Sequence, residues 1–311
     1  MINYILHDFI DKGKWDECIT KSRPDLIYAH SWYLDIVCSK WDALVENDYE
    51  RVMPLTCNRK YFIHYLYQPF FTQQLGIFSP TDTRLSKAKE FMAHIPSKFR
   101  YADISLNEGN LFSPDVIPFS ELHVQNRRTL VLNLDKSYEK LQEGYSQNTK
   151  RNIRRAVENQ INIEESKDPD ILIQLFCKNK GQELNSLKHR HYSLLKKLME
   201  TSFQKGTGKM LLACSPNGEP CGSAFFLSHA HRHIFLFSAT NSKAKATGAM
   251  TLLIDSFIQR EANQPVELDF EGSVIEGLAR FYKSFGATER QYQRIQINRL
   301  PKPLRNLKKA I

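Results

Sequence analysis

Hydrophobic and polar positions change period repeatedly along this chain, and each change marks an element. From Val266 to Ser273, Val266, Leu268 and Phe270 alternate with Glu267, Asp269 and Glu271, which at period two predicts a strand with its three carboxylates on one face. Gly272 stops it. From Ile275 to Ala287 the period becomes helical: Leu278, Phe281, Tyr282 and Phe285 fall at i, i+3, i+4 and i+7, with Gly286 at the left-handed position past the helix end.

The same reading runs back along the chain. Residues 31–39 predict a short helix capped by Ser31, then a hairpin of Trp41–Glu46 and Val52–Cys57 turning at Asn47–Glu50. The aromatic run of Tyr61, Phe62, Tyr65, Tyr67, Phe70 and Phe71 reads as core or interdomain packing ahead of a base-stacking platform or a cofactor box. Thr83–Ile95 predicts a helix stopped by Pro96, Phe99–Leu106 a strand carrying Asp103, and Leu122–Leu134 an extended segment. Helices follow over Ser137–Gly144, Ser146–Gln160, Asp168–Lys180 and His191–Gln204, the third with Pro169 in its first turn. Lys209–Ser215, Cys221–Ser228 and His233–Thr240 predict three antiparallel strands, Thr247–Glu261 a helix and Glu289–Asn298 a last strand.

The order helix, hairpin, third strand, helix, strand therefore occurs twice, over Ser31–Leu106 and His191–Phe270, with no residue-level identity between the halves. Together with a length of 311 residues, this favours two domains meeting near residues 135–145.

Composition adds a sign. The formal charge is +9, so the surface field favours an anionic partner: cofactor phosphates, a nucleotide-linked acceptor, RNA or an anionic membrane. The first residues show no basic region followed by an apolar core, and no apolar run has the length of a membrane span, from which a cytoplasmic location is expected. The six cysteines, among them Cys214 and Cys221 across a hairpin turn, show no C-x-x-C pair and read as buried thiols.

Chemistry concentrates in a few places. Lys150, Arg151, Arg154 and Arg155 make a basic stripe on a predicted helix whose residues 146–157 hold no Asp or Glu; guanidinium forks there suit phosphates of an acceptor or of RNA, the bland alternative being a solvated face. His229, His231 and His233, like His189 and His191, read as exposed turn residues, and no metal site is expected. G-x-S-x-G, H-E-x-x-H, Walker and paired C-x-x-C motifs are absent, which leaves hydrolase, metalloprotease and NTPase readings without support. Acyl transfer to an amine needs a proton acceptor, oxyanion stabilisation and a leaving-group proton donor; Asp269 or Glu271, Tyr282 and Lys283 offer a carboxylate, a hydroxyl and an ammonium for these roles in turn. Tyr282 on an apolar face has an equal claim as a core residue.

Ala279–Ala287, reading A-R-F-Y-K-S-F-G-A after an acidic strand, resembles the closing motif of the GNAT acyltransferase superfamily. With Tyr145–Ala156 upstream, the chain looks most like the Fem-type (FemAB-like) branch, over most of residues 136–298. The resemblance implies an α+β fold of two tandem GNAT-like domains, each a mixed, mostly antiparallel sheet flanked by helices: residues 1–135, residues 136–298 with the donor site, and a basic tail, 299–311. It implies an acyl-CoA or aminoacyl-tRNA donor and amide formation on an anionic or nucleotide-linked acceptor, and it makes Tyr282 the general acid, with a lysine near Lys283. It also implies a phosphate loop of pattern R/Q-x-x-G-x-G/A between strand and helix; Lys243, Lys245, Ala246, Thr247 and Gly248 stand there, with Ala246 in place of the first glycine. That Cβ restricts approach of phosphate, and a helix start needing only a Thr cap and a Gly accounts equally for the segment. A silent module holding RNA or a nucleotide-linked envelope precursor is the reading from another class. A third is a peripheral protein whose basic tail touches anionic lipid, against a frayed, solvated terminus.

Overall fold

A computed structural model describes residues 1–81, 85–112, 122–179, 187–272 and 276–301, with side chains omitted at 85–87. In chain order the elements are β1 (Ile2–Ile5), α1 (Lys12–Lys21), α2 (Ser31–Val37), β2 (Trp41–Glu46), β3 (Arg51–Lys60), β4 (Ile63–Tyr67), α3 (Leu85–Ala93), β5 (Phe99–Ser105) and β6 (Leu122–Asn133). Then come α4 (Tyr138–Glu143), α5 (Gln147–Glu158), β7 (Asn162–Glu165), α6 (Pro169–Lys178), α7 (His189–Gln204), β8 (Gly208–Cys214), β9 (Pro220–His229) and β10 (Arg232–Thr240). The chain continues through α8 (Ser242–Thr247), α9 (Ala249–Glu261), β11 (Glu267–Asp269), α10 (Glu276–Lys283) and β12 (Thr288–Asn298). It divides into two compact units, Met1–Arg128 with Gln291–Ile311, and Thr129–Arg290.

In the first unit β1, β2, β3 and β4 run antiparallel in order, β4 pairs β5 in parallel, and β12 joins β5 antiparallel through Arg294↔Ser105 to Asn298↔Tyr101. One face packs Leu44, Met53, Leu55, Leu66 and Ile104 against Phe91 and Met92 of α3. Arg294 grips Asp103 through both Nε and Nη2, each at 2.5 Å, which fixes β12 on β5.

The second unit repeats this plan. β7, β8, β9 and β10 run antiparallel in order, β10 pairs β11 in parallel, and β6 joins β11 antiparallel. The element order legible in both halves is thus matched by strand order and direction. Leu253, Ile254, Phe257 and Ile258 of α9 pack on Leu211, Phe226 and Leu268. Phe257 stacks on Phe226 at 3.7 Å, so truncating it to alanine would cost about 3–5 kcal/mol.

Several expectations change. The helix expected over Thr247–Glu261 is α9, starting at Ala249, and it is preceded by a further short helix, α8, which Gly248 with a φ of 79° separates from it. Thr247 is no cap: its hydroxyl donates back to the Lys243 carbonyl, and Asn241 caps α8 by accepting from the Ala244 amide. Ser31 lies inside α2, its amide and hydroxyl both donating to Asp16. The aromatic run is not uniformly packed: Tyr61 and Phe62 are 73% and 86% exposed at the tip between β3 and β4. Leu300 is buried and the Arg299 amide donates to the Arg100 carbonyl, so residues 299–300 are docked rather than frayed. Thr83, Lys180, Ser273, Ile275 and residues 302–311 lie outside the described residues.

Candidate functional site

The site begins with a separation of strands. β10 pairs β11 only over Arg232↔Glu267, His233↔Leu268 and Ile234↔Asp269. Beyond that point the Phe270 amide turns to the Leu130 carbonyl, while β10 runs on to Thr240 and is bulged against β9 between Phe235 and Phe237. A bulge bends and twists its strand, so a wedge opens between the second half of β10 and the segment entering α10. The wedge holds a cavity of about 350 Å³, lined among others by Asn152, Thr240, Lys245, Gly248, Phe281 and Tyr282. Its walls are mostly apolar with a few convergent polar groups, as ligand pockets are.

Tyr282 is buried between Phe270, stacked at 4.9 Å, and Phe235, edge-on at 5.8 Å. Burial and the nearby Glu271 carboxylate push its phenol well above the ordinary value, and no hydrogen bond to the hydroxyl contributes. The phenol therefore stays protonated at neutral pH, as a proton donor must. Leu278, expected to face the core, is 36% exposed because its turn of α10 faces the cavity mouth.

The other expected groups divide. Asp269 is 1% exposed: Thr129 and the Glu271 amide donate to its Oδ1, and Arg232 stands 3.4 Å from Oδ2. It holds β11 in place with its acceptor capacity engaged. Glu271 is half-buried with φ 56°, and it is the carboxylate that acts on the Tyr282 phenol. Lys283 is exposed, pairs with Glu289 at 2.6 Å, and does not line the cavity.

Of the loop residues, Lys245 and Gly248 line the cavity. Lys243 instead pairs with Glu219 at 3.2 Å, and Ala246 is exposed. Residues 242–247 form a helical turn, and the Gly248 amide donates to the Ala244 carbonyl at 3.0 Å. The Gly248 amide, engaged in this way, does not also meet a phosphate. A Cβ on Gly248 would stand 2.4 Å from the Asn152 carbonyl oxygen, so this glycine lets α5 lie directly on the α8–α9 junction.

The basic stripe splits in two. Lys150 and Arg154 line a second groove of about 370 Å³ with Glu139, Gln142 and Glu143. Arg151 reaches Asn148, and Arg155 lies 3.5 Å from the Ala246 carbonyl beside the cavity wall.

Sequence reasoning passed over several buried polar groups. Asp255 of α9 accepts from Tyr138 at 2.9 Å, with Tyr145 beside the same carboxylate, and burial raises its pKa. An aspartate flanked by Leu253, Ile254, Phe257 and Ile258 was a readable signal. His233 is buried between Ser228 and Glu261, and His191 is buried at the start of α7, accepting from the Lys188 amide; neither is an exposed turn residue. All six cysteines are free thiols, and burial raises the pKa of Cys214 and Cys221.

No family profile and no curated protein sequence matches the chain. Solved structures do. The crystal structure of FemX superposes with a TM-score of 0.68 at 12% identity, covering 98% of this chain and 99% of that one. The C-terminal domain of a putative lysylphosphatidylglycerol synthetase from Agrobacterium fabrum gives 0.60 at 9%, covering 95% and 94%. A tandem GNAT protein from the clavulanic acid biosynthesis pathway gives 0.52 at 11%, covering 97% and 99%. The fold is of the GNAT type. Identities this low carry no further than the fold, and FemX, the synthetase domain and the clavulanic acid protein share with this chain an architecture only. Among the described residues no helix is long and apolar enough to cross a membrane.

Proposed function

We propose that the chain is an acyl- or aminoacyl-transferase of the Fem-like kind, forming an amide on an anionic acceptor, with the wedge between β10 and β11 as its transfer site. The observation that carries this is Tyr282: a buried phenol with a raised pKa, lining a cavity at the strand separation of a GNAT-type fold. In the reaction the acceptor amine attacks the donor carbonyl, a C–N bond forms, and the C–O or C–S bond to the leaving group breaks. The amine releases a proton and the leaving group takes one; Tyr282 supplies the latter and Glu271 is the nearest carboxylate to receive the former. Asp269 and Lys283 act outside the chemistry, the first fixing β11 and the second on the surface.

For the donor, the engaged Gly248 amide and the Cβ of Ala246 argue against the usual backbone phosphate cradle, while Lys245 on the cavity lining and Arg155 beside α8 offer side-chain cations. This favours aminoacyl-tRNA over acyl-CoA. The second reading, a silent binding module, draws on one observation: Asp269 and Lys283, two of four expected catalytic groups, are held in ion pairs.

The test is transfer from labelled aminoacyl-tRNA and acyl-CoA to amine acceptors by the wild type and Tyr282→Phe. Transfer from either donor that falls about 10²–10⁴-fold in kcat with donor affinity unchanged supports the reading. Donor binding without transfer in the wild type supports the silent module.

A further inference from the structure

The β3–β4 hairpin of the first unit ends in a tip that packing does not explain. β3 last pairs β2 at Thr56↔Trp41, then runs through Cys57, Asn58, Arg59 and Lys60 beyond the end of β2. Four residues of strand carry the tip roughly 13 Å past that end. On the other side β5 begins level with His64, so Lys60–Ile63 projects past both neighbouring strands. The two turn residues are Tyr61 and Phe62, with φ of 48° and 64°. Two successive positive φ values suit Asn-Gly and burden bulky side chains. Here two aromatics occupy the strained positions and point their bulk to solvent, 73% and 86% exposed.

Each aromatic carries a cation. The Arg59 guanidinium lies 5.1 Å from the Phe62 ring centre and the Lys60 ammonium 5.4 Å from that of Tyr61. The same end of the sheet shows two more exposed apolar side chains, Phe9 at 77% and Leu6 at 47%, in the turn whose His7 amide donates to Asp42. Lys40 is exposed beside it, and Asp8 is the exposed carboxylate nearby. Asp42 is buried and accepts from Tyr4, while Asp35 pairs with Lys12 at 2.7 Å.

We infer that this tip is a docking element for the surface of an anionic lipid bilayer. Aromatic rings with a cation at their side match the boundary between acyl chains and headgroup phosphates, where amphipathic rings sit and basic residues snorkel. The tip is convex, which suits insertion between lipids rather than acceptance of a protein segment. A nucleic acid is the weaker occupant, because Arg59 and Lys60 already lie against the rings on which bases would stack. The inference stands apart from the transfer reading, since every residue in it belongs to the first unit.

The experiment is sedimentation with vesicles of phosphatidylcholine alone and with added phosphatidylglycerol, at low and raised salt. The wild type should partition onto the anionic vesicles and release with salt. Tyr61→Asn with Phe62→Gly replaces the strained turn by one suited to it, so its melting temperature should hold or rise while its partition coefficient falls about ten-fold or more. Arg59→Ser and Lys60→Ser should each cost about five-fold on anionic vesicles at low salt. Phe62→Trp should gain fluorescence that brominated acyl chains quench, beyond any quenching in the wild type. No wild-type partitioning, or equal partitioning by the turn variant, overturns the inference. So does loss of partitioning on removal of residues 302–311 with the turn variant unaffected.

Discussion

Gly248→Ala tests how the basic helix is joined to the cavity. The substitution has two separable costs. At φ 79° an L-residue is strained by about 1–2 kcal/mol. The added Cβ would also stand 2.4 Å from the Asn152 carbonyl oxygen and 3.1 Å from its carbon. That obstacle is helix backbone, so α5 as a whole must shift, and overpacking of this kind costs about 1–3 kcal/mol more. The control is Gly218→Ala, which has the same φ of 79° and nothing within 4 Å of the new Cβ. Thermal unfolding followed by circular dichroism should show Gly218→Ala losing only the strain cost. Gly248→Ala should lose about 2–5 kcal/mol, equivalent to a melting shift of about 2–4 °C per kcal/mol for a unit of this size. Equal losses for the two variants would refute close packing of α5 on this glycine. Because Gly248 and Asn152 both line the cavity, the displaced helix should also weaken donor binding.

Three further outcomes follow from the same geometry. Lys283→Ala should retain transfer activity within a few-fold of wild type, whereas Glu271→Gln should lower kcat, both measured beside Tyr282→Phe; a Lys283 defect as large as that of Tyr282→Phe would put the ammonium back in the reaction. Glu261 is drawn down to about 2 by His233 and Lys209, so it stabilises the fold fully above its ordinary value near 4.5 and progressively less as pH falls towards 2. Glu261→Gln should flatten that stretch of a melting-temperature profile against pH, and an unchanged slope would exclude the group. Gly277→Ala, in α10 with open space around the new Cβ, should stabilise by about 0.4–1 kcal/mol in denaturant unfolding.

Long periodic elements were legible, because burial on one face imposes a period that residues reveal one by one. The three strands β8, β9 and β10, and helix α5 with its Ser146 cap, stand where the pattern puts them. What escaped was short or lacked contrast. β7 has three of its four residues exposed, so Asn162–Glu165 shows almost no buried face to read. β4 was placed only by element order, its bounds blurred inside the aromatic run where Tyr65 and Tyr67 share a face. β1 and α1 were missed outright, although Asp11 caps α1 and Trp15, Cys18 and Ile19 form its buried stripe. At the site, Tyr282 was readable from its place beside Phe281 on α10. The different surroundings of Asp269 and Glu271 were not, because period two puts both on one face. Asp269 is engaged by Arg232 and Thr129, both distant in sequence.

The grip of Arg294 on Asp103 joins positions 191 residues apart, while the residues of the second unit form one uninterrupted segment. The second unit can thus assemble from chain already at hand. The first must keep β5 with an open edge until that long loop closes, and a strand edge left open is a template for pairing with other chains. The contact is therefore also a clasp in time: whatever delays its closing lengthens the period in which the first unit is exposed to aggregation.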